Sequence, residues 1–141
     1  KSLDEVIRIA EHVREQVRAV VLVDTIKHVY RSGRIPQIAS KIGSALNIKP
    51  IFTVKHTVRF VGMVRSTEQG IRRILRMMRD EAGTDPVNAA VMHVYAPEEA
   101  ERLRDRIAGE FNCADLWLTE FSPIMGYACG TGALGISFYP A

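Results

Sequence analysis

Cysteine is scarce: Cys113 and Cys129 are the two in 141 residues, too few for a disulfide framework. No C-x-x-C or H-x-x-x-H spacing occurs, so the usual zinc signatures are missing. Both thiols read as reduced, which fits a cytoplasmic protein. No apolar run approaches the ~20 residues that a membrane-spanning helix needs. The first residues, KSLDEVIRIAEHVREQV, read as an amphipathic helix and not as a secretory leader. Internal repeats, low-complexity tracts and obvious linkers are also lacking. The chain does not open on Met, so we expect it to be processed or cut from something longer. Positive charge is present but unclustered. There are 14 Arg and 5 Lys and a net charge of +3, yet no basic block exceeds two residues. A nucleic-acid footprint is normally more concentrated.

What is present suits one domain with a real core: 47% hydrophobic and 25% charged residues. The chain should begin with a helix over about 3–17, with Ser2 and Glu5 in capping-box spacing. Its stripe of Leu3, Val6, Ile7, Ala10, Val13 and Val17 is expected to be buried. AVVLV (19–23), β-branched and without alternation, reads as a strand covered on both faces. Asp24 is placed to cap the helix TIKHVYRS, which Gly33 ends. A second short helix is expected within 34–50. IKPIFTV (48–54) and TVRFVGMV (57–64) predict a hairpin turning at Lys55-His56. Ser66 and Gln69 open a helix that buries Ile71, Ile74, Leu75, Met78 and Ala82 and shows Arg72, Arg73, Arg76 and Arg79 on its other face. VNAAVMHV (87–94), CADLWLTEF (113–121) and ALGISF (133–138) read as strands, and Pro97 opens a further helix. The fold class is α/β, a mixed sheet of about six strands with flanking helices.

The residues that could do chemistry are few. His12, His28, His56 and His93 are mutually remote in sequence, and His93, in a strand, reads as a satisfied core histidine. Cys129 could serve as a nucleophile, but no base stands near it in sequence, and an enzyme is not the expected reading. The stretch 123-PIMGYACGTGALGISFYP-140 sets Gly126, Gly130, Gly132 and Gly135 within ten residues before a strand. It has neither the Walker spacing nor a helix after it. More informative are three polar, glycine-punctuated segments, 31–54, 61–66 and 122–136, which bring Arg34, Arg65, hydroxyls and backbone N–H groups to otherwise apolar surroundings. That combination suits a ligand with a long apolar body and a small anionic head.

Four stretches, VDTIKHVYRSGRI (23–35), LNIKPIFTV (46–54), GMVRS (62–66) and PIMGYACGTGALGI (123–136), resemble the DegV family of bacterial fatty-acid-binding proteins. The family pattern runs V-D-T-L-x-x-L-x-x-G-G-R-I, L-x-I-K-P-I-L-x-V, G-K-V-R and P-V-I-G-x-H-T-G-P-G-A-L-G-I. The resemblance implies that this chain is the C-terminal lobe of a two-lobe protein, without its N-terminal lobe. It implies carriage of a long-chain fatty acid, whose carboxylate is presented to a fatty-acid kinase for phospholipid synthesis, with no chemistry by the carrier and no cofactor. By position, Arg34 and Arg65 match family arginines that would face the head group, the kinase, or a salt bridge within the domain. Gly33, Gly130, Gly132 and Gly135 match family glycines, and Cys129 and Thr131 complete the expected head-group end. Departures from the pattern fall there too. Ala128 stands where the family commonly has His, Cys129 for Thr, Thr131 for Pro, and Ser32 for Gly.

A second class of reading is an interaction domain that docks a protein or nucleic acid through Arg72, Arg73, Arg76 and Arg79. Steep salt dependence of binding to DNA or RNA would mark it, and co-purified lipid would mark the first. A lobe without its partner should also expose an apolar patch, through which a homodimer could form.

Overall fold

The computed structural model describes residues 1–33 and 47–141. In chain order these form α1 (Leu3–Gln16), β1 (Arg18–Leu22), α2 (Ile26–Ser32), β2 (Lys49–Val54), β3 (Val58–Val64), α3 (Thr67–Ala82), β4 (Val87–His93), α4 (Pro97–Glu110), β5 (Cys113–Glu120), α5 (Pro123–Cys129) and β6 (Leu134–Pro140). The strands make one sheet in the order β3-β2-β1-β6-β4-β5. β4 and β5 are parallel and every other pair is antiparallel, so the α/β reading with a mixed sheet holds.

The unalternating run of β1 is explained by its central place. Val20 and Leu22 point into one cluster, with Ile71, Ile74, Leu75 and Met78 of α3 and Ala100, Leu103 and Ile107 of α4. Val21 and Val23 point into the other, with Val29 of α2, Phe52, Cys129 and Ala133. A strand with apolar neighbours on both faces needs no polar alternation. The two covers differ in reach. α3 and α4 have 16 and 14 residues, whereas α2 and α5 have seven each.

The register sets up the site. Leu22 at the end of β1 pairs with Ile51 and Leu134, His93 at the end of β4 with Leu134 and Glu120, and Lys49 with Val64. The loops after β1, β3, β4 and β5 and those before β2 and β6 therefore share one rim of the sheet.

Local chemistry fixes the elements. Ser2 Oγ accepts from the Glu5 N–H at 3.3 Å and the Glu5 carboxylate accepts from the Ser2 N–H at 2.8 Å, a complete capping box. At α3 the Ser66 hydroxyl accepts from the Gln69 N–H, but the Gln69 side chain accepts from the N–H of Arg65. The hairpin turn takes Lys55, His56 and Thr57, because Val54 pairs with Val58. A bulge in β3 leaves Val61 between the pairs Ile51–Gly62 and Phe52–Phe60, and the Arg73 guanidinium donates to the Val61 carbonyl at 2.9 Å. Bulges of this kind blunt sheet edges.

Three sequence readings need correction. α1 is where it was expected, but none of its residues is buried: Leu3 is 74% exposed, and Val6 and Ile7 are also exposed. The stripe lacks a facing surface, since the helix packs mainly toward β6. Thr25, not Asp24, caps α2, its hydroxyl accepting from the Lys27 N–H. Asp24 is instead drawn to the Lys49 ammonium at the start of β2. Residues 123–129, read as part of a glycine-punctuated segment, form α5, opened by Pro123 at a position where its missing N–H costs nothing. Of the stretch 34–50, expected to form a short helix, residues 34–46 lie outside the described residues, and Lys49 and Pro50 open β2.

Candidate functional site

The glycine-rich bend connects α5 to β6. The Gly130 N–H donates to Gly126 O at 2.8 Å, the Gly132 N–H to Val94 O at 2.8 Å, and the Val94 N–H to Ala133 O at 3.0 Å. The bend is thus tied to the end of β4. Gly130 and Gly132 have φ of 77° and 87°, a region L side chains avoid. Space demands glycine as well. A Cβ at Gly130 would lie 2.1 Å from Cδ2 of His28, and one at Gly132 would lie 3.0 Å from Cβ and Cγ of Asp24. The bare backbone is therefore filled by this chain's own His28 and Asp24, at the start of α2.

Two hollows flank α5. One is an apolar groove of about 100 Å³ between the sheet and the two short helices. Val21, Val23, Val29, Phe52, Val54, Val58, Met125, Ala128 and Cys129 line it, with Ser32 as the polar member. The other is a polar cavity of about 420 Å³ at the rim, lined by His28, Arg31, His93, Glu120, Tyr127, Gly130 and Thr131 among others. His93 is 6% exposed, and its Nδ1 accepts from the Ala96 N–H at 3.2 Å. Arg31 Nη2 lies 3.2 Å from His28 Nδ1, and its guanidinium stacks 5.4 Å from the centre of the Tyr127 ring.

A third hollow, of about 350 Å³, gathers Arg65, Gln69, Arg72, Arg73 and Arg76 against Met63 and Val64. Arg72 reaches Glu68 at 3.9 Å. Farther along α3, Arg79 pairs with Glu110. The arginine face therefore divides into a paired end and an end where guanidinium groups outnumber carboxylates.

The expected site residues separate into these places. Gly130 and Thr131 border the polar cavity, Cys129 borders the apolar groove, and Gly132 rests on Asp24. Arg65 belongs to the arginine hollow, at the end of β3, three strand spacings from β6 and so about 14 Å across the sheet. Arg34 lies outside the described residues. Sequence reasoning missed His28, Arg31 and His93 as one group, because they sit 62 or more positions apart except for the first two. It also missed Met125 as a groove wall, because α5 was not foreseen. Among the described residues no group of three or more His, Cys, Asp or Glu could hold a metal ion, and no helix is long and apolar enough to cross a membrane.

Neither cysteine forms a disulfide. Burial pushes the Cys113 thiol above its ordinary value. Cys129 is 7% exposed, within an apolar wall. We expect alkylation of Cys129 by a maleimide at neutral pH to be slow, since thiolate access governs the rate. Mass spectrometry of the labelled peptides checks this. Rapid labelling would place Cys129 outside the apolar wall.

A family model described as an uncharacterised protein of the DegV family matches residues 1–141. A DegV domain-containing protein, SCO2569, of Streptomyces coelicolor is 34% identical over 140 residues, covering 96% of this chain and 49% of that protein. Protein DegV of Bacillus subtilis is 32% identical over 138 residues, covering 96% and 49%. The crystal structure of that fatty-acid-binding protein superposes with a TM-score of 0.80 at 28% identity, over 99% of this chain and 50% of the other. A DegV family protein from Thermus thermophilus, solved in a study of its fatty-acid binding, gives 0.86 at 24% identity, over 100% and 51%. The chain spans about half the length of the relatives it matches.

Proposed function

The chain belongs to the DegV family, and from that premise we propose that it is the C-terminal lobe of a fatty-acid carrier, not an enzyme. The observation that carries this reading is the apolar groove, whose wall holds nine hydrophobic side chains and one hydroxyl. A volume of about 100 Å³ falls below the ~300–1,000 Å³ typical of a complete small-molecule site. The described residues therefore form one wall of a lipid site, and an N-terminal lobe supplies the other. The acyl tail lies along Val21, Val23, Phe52 and Met125. The carboxylate sits at the mouth, near Ala128, Cys129 and the Gly130-Thr131-Gly132 bend. The exposed stripe of α1 is a surface for the second lobe, or for self-association when that lobe is absent.

The carrier presents the carboxylate to a fatty-acid kinase in the cytoplasm. Arg65, Arg72 and Arg76 supply an electropositive docking surface for it, separated from the groove, with Arg73 pinned to the bulge at Val61. Mixed apolar and guanidinium character suits a protein partner better than nucleic acid, which favours a continuous basic track.

Methyl-detected NMR tests the lipid reading. Oleate is expected to shift signals of Val21, Val23, Val29 and Met125, and an Ala128→Trp variant to reduce binding at least tenfold by filling the groove. Shifts confined to α1 or the arginine hollow would rule the groove out.

A further inference from the structure

The geometry points to a second ligand site, independent of the lipid reading: we propose that the polar cavity at the rim binds a phosphate group. Its wall is rich in donors. His93 Nδ1 accepts from the Ala96 N–H. An arginine can only donate, so His28 Nδ1 accepts from Arg31. A neutral imidazole whose Nδ1 accepts carries its proton on Nε2. Both rings line the cavity with Nε2–H as their remaining polar group. Arg31 adds a permanent cation, held in place by His28 and by stacking on Tyr127. The Ser122 hydroxyl is not used to cap α5, and Ser122 and Thr131 both line the cavity.

Two further observations mark the place. β4 and β5 are the parallel pair of the sheet, and the cavity is formed by residues that follow both, Val94 and Tyr95 after one and Phe121 and Ser122 after the other. Open α/β sheets take their ligands beyond the carboxyl ends of parallel strands. Tyr95 has φ of 48°, a left-handed conformation unusual for an aromatic residue. Such strain concentrates at binding sites. At about 420 Å³ the cavity is within the range of complete ligand sites, ~300–1,000 Å³. It can therefore hold a phosphate together with the molecule that bears it.

One group opposes an anion. Glu120 stands beside His93 in the ladder and lines the same cavity. Its charge makes a sharp test, because removing it should strengthen binding while removing Arg31 should weaken it. Both side chains are exposed, so Arg31→Gln and Glu120→Gln leave the core intact.

The experiment is NMR detection of the imidazole Nε2 signals in the ¹⁵N-labelled chain, titrated with inorganic phosphate and, separately, with sodium chloride at matched ionic strength. Saturable shifts of His28 and His93 with phosphate alone are expected. Apparent affinity should fall roughly tenfold in Arg31→Gln, as for loss of one charge-assisted hydrogen bond, and rise several-fold in Glu120→Gln. Equal responses to phosphate and chloride, or affinities unchanged in both variants, would overturn the proposal. So would imidazole shifts produced by oleate and not by phosphate, which would make the cavity the head-group end of the lipid site. Failure of oleate to bind anywhere leaves the phosphate result standing.

Discussion

Replacing Gly130 by alanine is expected to destabilise the chain by about 2–6 kcal/mol, from two separable causes. The first is backbone conformation. Gly130 has φ of 77° and ψ of 167°, a region essentially reserved for glycine, where another residue costs about 1–3 kcal/mol. The second is volume, since the added methyl would meet Cδ2, Cγ and Nε2 of His28 at 2.1, 2.3 and 2.5 Å. For the ring to swing away it must break the contact between its Nδ1 and Arg31. Overpacking of this kind typically costs about 1–3 kcal/mol. A double-mutant cycle separates the two. His28→Ala in the Gly130→Ala background should restore the steric part and leave the backbone part, with a coupling of about 1–3 kcal/mol between the sites. Urea unfolding of the four proteins measures this. A Gly130→Ala variant within ~0.5 kcal/mol of the parent, the usual effect of a neutral surface change, would mean that the bend does not rest on α2. Because Gly130 borders the polar cavity and its neighbour Cys129 the apolar groove, the variant should also disturb both ligand sites.

The parts of this fold legible in the sequence are those governed by neighbours along the chain. The capping box at Ser2, the strand at β1, the proline that opens α4 and the apolar stripe of α3 follow from local hydrogen bonding and periodicity, and each is present. Failures occur where a distant group decides. α1 has the periodicity of a packed helix, but periodicity reports that a face is apolar, not that anything covers it. Asp24 is a good cap by residue type, yet Lys49, 25 positions away, takes it. α5 was hidden because Gly126 and the glycines after it lower helix propensity, while packing against α2 stabilises it. The candidate site shows the same division. Motif resemblance singled out Cys129, Gly130 and Thr131 as a head-group end, but no pattern along the chain shows that His28 fills the space over Gly130. Nor does the proximity of Arg65 and Gly130 at one rim, clear from the register, make them one site, since β2 and β1 intervene.

The isolated chain is expected to bind oleate at least a thousand-fold more weakly than a full-length member of the family. Burying a tail of ~14 methylenes completely is worth at most about 11 kcal/mol at ~0.8 kcal/mol each. The groove here contacts a tail from one side, between the sheet and two seven-residue helices, so roughly half of that is available. Association removes about 4 kcal/mol or more, leaving about 1.5 kcal/mol or less, a dissociation constant of roughly 0.1 M or weaker. Closing the other side recovers about 5 kcal/mol, which corresponds to between three and four powers of ten in affinity. Most of the association cost has by then been met. Calorimetric titration of this chain, of a full-length relative, and of that relative cut to the matching half makes the comparison. The two half-length proteins should behave alike and the full-length one should bind in the micromolar range or tighter. Equal affinity across all three would show that one lobe encloses the lipid by itself, and the second lobe would then have to act on something other than the tail.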